Sequence, residues 1–82
     1  MVRIRFFASL REQLGQAELR LSVPDGIDVE SLISQLGRQQ PGWAGALASN
    51  ELICAVNEEV VGRQHPLHSG DELAIFPPVT GG

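Results

Sequence analysis

Val2 to Phe7 alternates with a period of two: Val2, Ile4 and Phe6 fall on one face, Arg3, Arg5 and Phe7 on the other. This is the pattern of a half-buried strand, and it sends one aromatic ring outward. Ser9-Leu10-Arg11-Glu12 has capping-box spacing, which predicts a short helix with Ser9 bonding an orphan amide and Glu12 reaching back. Gly15 stands where that helix would stop. Leu19, Leu21 and Val23 then alternate with Glu18, Arg20 and Ser22, so a second strand follows, and the two read as a hairpin-like pair around a helical turn. Pro24-Asp25-Gly26 is turn chemistry, and Asp28 sits where it can cap a helix. In that helix Val29, Leu32, Ile33 and Leu36 recur at i, i+3, i+4 and i+7, the stripe of the main helix. Ile27 and Leu32 have the spacing of a hydrophobic staple, while Gly37 and Pro41 mark the expected end. Between Pro41 and Asn50, the residues Trp43, Ala44, Ala46 and Leu47 predict a further short helical turn over the edge of the core.

Leu52 to Val56 reads as a third strand, Glu58-Glu59 as part of a turn, Val60-Val61 as a brief return strand, and His65 to Asp71 as loop. The last strand, Glu72 to Phe76, puts Leu73 and Ile75 inward and Ala74 and Phe76 outward. Strands, then an amphipathic helix, then further strands give an α+β fold: a mixed sheet of four to five strands with one main helix packed on it. A ubiquitin-like β-grasp is the compact fold that suits this order. It would occupy residues 1–76 and leave 77–82 as an extended tail. That tail is Pro77-Pro78-Val79-Thr80-Gly81-Gly82. Its two prolines have no N–H to give a sheet and hold the chain extended. At ~3.1–3.3 Å per residue it reaches about 18–20 Å, enough to enter another protein's pocket. Gly81 and Gly82 carry no side chains, so a narrow channel could close around the backbone and present only the terminal carboxylate. The competing reading is an ordinary frayed chain end. An apolar strand running into Pro-Pro without a polar linker favours a working tail.

Size and composition narrow the chemistry. A chain of 82 residues is one domain that buries about 60% of its unfolded surface, with no room for an elaborate catalytic cleft. With 43% hydrophobic and 20% charged residues it has the balance of a soluble globule, and no apolar run approaches the ~18 residues of a membrane span. The opening residues alternate as a strand and show no secretory signal, and the single Cys54 has no internal disulfide partner, so a reducing cytoplasm is the expected setting. The net charge is −4 and no basic cluster occurs, so nucleic acid is not an expected partner and a basic protein surface suits the chain better. Lysine is absent, which excludes a Walker-type phosphate loop and a Schiff base. Cys54 lies in an apolar run and reads as a small buried hydrophobe. His65 and His68 have no further His or Cys to complete a metal set, and Glu58-Glu59 and Asp71-Glu72 read as solvated charge. No catalytic constellation emerges. What remains is Phe7 and Phe76, joined by Val60, outward beside the root of the tail. Either a second layer covers them or they dock on a partner, and their place beside the tail favours docking.

These residues carry a resemblance that spans nearly the whole chain: Phe6-Phe7-Ala8 followed by Arg11-Glu12, then Ala55-Val56-Asn57, His65-Pro66-Leu67, Gly70-Asp71-Glu72, and above all Phe76-Pro77-Pro78-Val79-Thr80-Gly81-Gly82. The sequence resembles the family of molybdopterin synthase small subunits, which are β-grasp sulfur carriers. Gly37, Pro41 and Gly42 are its departures and point to a shortened helical region. The resemblance implies that the carboxylate of Gly82, next to Gly81, is adenylated by a ubiquitin-activating-like adenylyltransferase and converted to a thiocarboxylate, with sulfur drawn through a cysteine desulfurase. It implies sulfur donation to cyclic pyranopterin monophosphate, forming the molybdopterin dithiolene of the molybdenum cofactor. The large subunit of molybdopterin synthase would supply the catalytic residues in a heterotetramer of two small and two large subunits. Phe7, Val60, Phe76, Pro77, Pro78, Val79 and Thr80 would be the partner-binding residues. ATP would be used by the activating enzyme, with no cofactor or metal bound by this chain. A thiamine-pathway sulfur carrier and a ubiquitin-like protein modifier are the alternatives that share the fold.

Overall fold

The computed structural model describes residues 1–49 and 51–78. Five strands among them form one sheet: β1 (Val2–Phe6), β2 (Glu18–Leu21), β3 (Ile53–Val56), β4 (Glu59–Val61) and β5 (Glu72–Phe76), in the spatial order β2-β1-β5-β3-β4. β1 and β5 pair in parallel at the centre, and the β1–β2, β3–β5 and β3–β4 pairs are antiparallel. Three helices, α1 (Ala8–Leu14), α2 (Val29–Gln39) and α3 (Ala44–Leu47), complete the described elements with a 3₁₀ turn at Pro41–Trp43. This is the mixed-sheet α+β architecture that the hydrophobic pattern predicts, a ubiquitin-like β-grasp.

The alternation in β1 becomes two chemically different faces. Val2, Ile4 and Phe6 are buried together with Leu73 and Ile75 of β5 and Cys54 and Val56 of β3. Over them lies the stripe Val29, Leu32, Ile33 and Leu36 of α2, all four buried. At about 1.5–3 kcal/mol for each large apolar side chain fully buried, this layer dominates the favourable side of folding. Asp28 caps α2 as its spacing predicts, its Oδ1 accepting from the Ser31 amide at 2.8 Å. Hydrogen bonding from the Ser31 side chain, and then from its amide, holds the Asp28 carboxyl below its ordinary range. The loop from Gly62 to Asp71 is pinned to the start of α2: the Val29 amide donates to the His65 carbonyl, the Leu67 amide to the Ile27 carbonyl, and the Leu67 side chain is fully buried.

Three local expectations give way to tertiary structure. Ser9 does not cap α1, whose cap position lies two residues earlier, at Phe7, with no side-chain cap bond. The reason is the sheet: the Phe7 amide donates to the Ile75 carbonyl, and the chain turns sharply at Ala8 with φ +54°, so Ser9 is already inside the first turn. Gly37 does not end α2, which continues to Gln39 before Pro41. A Cβ there would stand 3.7 Å from the Ala44 Cα, so the residue faces α3 at ordinary contact distance. The turn between β3 and β4 is Asn57-Glu58, with φ +50° and +72°, and Glu59 already belongs to β4. Positive φ at both central positions matches the turn to the twist of a two-residue hairpin. Gly15 does cap α1 in the left-handed region, with φ +73°.

Candidate functional site

The helices cover one face of the sheet; the site is on the other. By the same parity that buries Ile75, the register sets Ile53 opposite Phe76, Ala55 opposite Ala74, and Val60 opposite Ala55 on the uncovered side. The Phe6–Ile75 pairing brings Phe7 beside Phe76. Their rings stack with centroids 4.5 Å apart and planes 13° from parallel. Such a pair contributes about 0.5–1.5 kcal/mol beyond its area. Val60 is 71% exposed at the far side of this cluster. Between them lies a shallow hollow of about 440 Å³ lined by Ala8, Ile53, Val60, Phe76, Pro77 and Pro78, all apolar. A concentrated apolar patch on an otherwise polar small domain marks an interaction surface.

The root of the tail is part of this surface. β5 is the middle strand, so the chain leaves the sheet at its centre, and Pro77 and Pro78 line the hollow on one side and a second groove with Ser9, Gln13, Ala46 and Leu52 on the other. Val79, Thr80, Gly81 and Gly82 lie outside the described residues. Of the residues expected to meet a partner, the structure therefore brings together Phe7, Val60, Phe76, Pro77 and Pro78. Sequence reasoning missed Ile53 and Ala8. Strand parity could have found Ile53, which falls on the opposite face of β3 from Cys54 and Val56 and stays half-buried, whereas Ala55 on that same face is buried. No local signal marks Ala8, whose place follows from the turn after β1.

The rest of the uncovered face is charged. Arg3 bonds Glu18 through Nε at 3.1 Å and approaches Glu72 at 3.6 Å, and Arg5 lies 3.9 Å from Glu72. These contacts are exposed, where ion pairs add little to stability. Elsewhere, burial pushes the Cys54 thiol up, which leaves it protonated and inert. His68 Nδ1 lies 3.2 Å from Asp25, and His65 lines an open groove with Pro66 and Asp71. Among the described residues no group of three or more His, Cys, Asp or Glu side chains is placed to hold a metal ion. None of the helices described is long and apolar enough to cross a membrane.

A β-grasp with one face buried under helices, the other bearing a stacked aromatic pair, and its middle strand leading into Pro77 and Pro78 beside that pair is the class of domain that fold and patch define. The model of the ThiS family matches residues 4–82, and the chain belongs to that family. Over 82 residues it is 43% identical to the molybdopterin synthase sulfur carrier subunit of Escherichia coli, covering 100% of both chains. It is 36% identical to small archaeal modifier protein 3 of Haloferax volcanii, across 99% of this chain and 98% of that one. Among solved structures, the Haloferax volcanii HVO 2177 protein superposes with a TM-score of 0.82 at 31% identity, covering 99% of this chain and 85% of the other.

Proposed function

We propose that this chain is the sulfur-carrying subunit of a molybdopterin synthase and that its reactive group is the carboxylate of Gly82. The observation that carries the reading is the Phe7–Phe76 stack at the root of a tail ending in Gly81-Gly82, in a chain 43% identical end to end to a sulfur carrier subunit. The docking face seats the domain on the large subunit, and the tail reaches the partner's active site. A terminal carboxylate with a pKa near ~3.5 is ionised at neutral pH and resists attack by a nucleophile. An adenylyltransferase of the ubiquitin-activating type overcomes this: a Gly82 carboxylate oxygen attacks the α-phosphorus of ATP, pyrophosphate leaves, and the acyl-adenylate forms. A protein persulfide, fed by a cysteine desulfurase, then attacks the acyl carbon and AMP leaves; a second thiol cleaves the resulting acyl disulfide, releasing the thiocarboxylate and ending in a disulfide. In the large subunit that sulfur attacks cyclic pyranopterin monophosphate, water cleaves the resulting Gly82 thioester so that the sulfur stays on the pterin and the carboxylate returns, and two such deliveries complete one dithiolene. The chain's own part is to bind, to orient and to present the sulfur; ATP belongs to the activating enzyme.

The relationship to an archaeal modifier protein favours one second reading, a protein modifier whose Gly82 ends in an isopeptide bond to a target lysine. One experiment separates the two. The intact mass of the full chain is measured after incubation with a competent activating enzyme, ATP and a sulfur donor, with a Gly82-deleted chain as control. A gain equal to one sulfur replacing one oxygen, on the full chain only, is the expected result. No gain, with covalent adducts in lysate instead, refutes the carrier role.

A further inference from the structure

The border between the apolar and charged halves of the uncovered face is Arg5. Its guanidinium carbon lies over the Phe7 ring, 5.0 Å from the centroid. The stacked Phe7 and Phe76 rings leave no space between them, so the guanidinium covers the face of Phe7 turned away from Phe76. A cation over an aromatic face is attracted to the ring quadrupole, and a planar guanidinium also stacks on it. Arg5, Phe7 and Phe76 thus form one layered unit across two strands.

Arg5 differs from its neighbour Arg3 in what its donors do. Arg3 engages both Glu18 oxygens, through Nε at 3.1 Å and Nη2 at 3.5 Å. The Arg5 side chain makes no hydrogen bond among the described residues, and its one ion-pair contact among them, at 3.9 Å, is to the Glu72 oxygen that Arg3 also approaches. Its side chain is 44% exposed. A guanidinium has five donors in a fork that matches a carboxylate, and here the fork is held by Phe7 but barely used. A chain that is net negative has therefore placed an underused positive charge at the rim of its apolar patch.

We propose that Arg5 is a specificity-determining residue of the docking face, and that it takes a carboxylate side chain on the partner, set at the border of the pocket that receives Phe7 and Phe76. This rests on the docking reading above and adds a chemical requirement: the partner surface carries an acidic side chain beside an apolar pocket, although the chain as a whole is acidic. Phe7 orients the fork before contact, so less freedom is lost on binding. A charge at a patch border acts mainly on selection and encounter, giving a salt-dependent association rate.

The test measures association and dissociation rates of the full-length chain with the molybdopterin synthase large subunit encoded in the same genome, across a series of salt concentrations. The variants are Arg5→Gln and Arg5→Lys, with thermal unfolding of each as the check on folding. Arg5→Gln is expected to bind about five- to tenfold more weakly at low salt, with the gap closing as salt rises. Arg5→Lys is expected to recover the salt dependence but only part of the affinity, because an ammonium cannot make the planar fork. Wild-type affinity of Arg5→Gln at every salt concentration would overturn the proposal while leaving the docking reading intact. So would a Lys variant as weak as Gln. Failure of the wild-type chain to bind at all refutes the docking reading, and this inference falls with it.

Discussion

Ile75 and Phe76 are consecutive residues of one strand on opposite faces of the sheet, and truncating each to alanine separates folding from docking. Ile75 is fully buried against the helices, whereas Phe76 is half-buried on the uncovered face, stacked on Phe7. Ile75→Ala removes core volume that cannot relax fully, which costs about 2–5 kcal/mol of stability. A domain of this size holds about 4–12 kcal/mol in total, so this variant is strongly destabilised. Phe76→Ala loses the aromatic pair, about 0.5–1.5 kcal/mol, and some partly buried area, so its folding cost is near 1–2 kcal/mol. In docking the order reverses. A central aromatic anchor in a two-protein interface is worth about 2–4 kcal/mol on truncation, a thirtyfold or greater rise in Kd. The assay pairs urea denaturation of each variant with calorimetric titration onto the large subunit, and affinities are corrected for the folded fraction. Expected are a large loss of stability with near-normal docking for Ile75→Ala, and the converse for Phe76→Ala. If Phe76→Ala docks like the wild type once folded, the uncovered aromatic patch is not the docking face.

Three further outcomes follow from the same geometry. Deleting Gly82 should abolish dithiolene synthesis and the sulfur mass gain while docking changes less than about threefold, because the patch and not the terminal residue supplies the contact area; synthesis at the wild-type rate would contradict the role of the chain end. Asp71 accepts from the His68 amide and from the Asn57 side chain, which holds its carboxyl below the ordinary 3.8; a depressed folded pKa stabilises above 3.8 and is lost as pH falls through the folded value, so Asp71→Asn should flatten the acid limb of a stability–pH curve below about pH 3.8, and an unchanged limb would exclude that linkage. Cys54 is buried, with its thiol pushed up, so a thiol reagent should label the native chain only at the rate at which the sheet opens, and fast labelling under native conditions would contradict the packing.

What could be read from the sequence was whatever a short period fixes. Alternation in Val2–Phe6 and Glu72–Phe76 assigns each side chain a face, and the 3.6-residue stripe of α2 assigns its buried side, because both periods are properties of the backbone alone. What could not be read depends on partners distant in the chain. Ser9 has the right neighbours for a cap, but the Phe7 amide is claimed by Ile75, and that pairing fixes where α1 begins. Gly37 looks like a terminator until α3 is folded against it. Strand order is of the same kind: nothing local says that β5 enters between β1 and β3. Parity puts Phe7 and Phe76 outward, but their stacking follows from the β1–β5 pairing, and the cation over Phe7 has no sequence signal, since Arg5 reads as one more outward charge.

That central insertion of β5 links fold to function. A last strand at the edge of the sheet would leave its tail beside an unpaired backbone, free to swing and prone to pair with other chains. In the middle, β5 is hydrogen-bonded on both sides, to β1 and β3, so Phe76 is fixed before Pro77 begins. The two prolines then carry that fixed direction onward, since neither can fold back into the ladder. On the proposed function, the docking anchor Phe76 and the reaching arm thus share one rigid origin. A flexible linker between them would preserve binding but spread the chain end over a larger volume and lower its effective concentration at the partner's site. Inserting Gly-Ser between Phe76 and Pro77 should therefore leave the affinity for the large subunit within about twofold while slowing sulfur transfer several-fold. Equal loss of both would mean that tail and patch bind as one continuous strip and that the rigidity of the junction is immaterial.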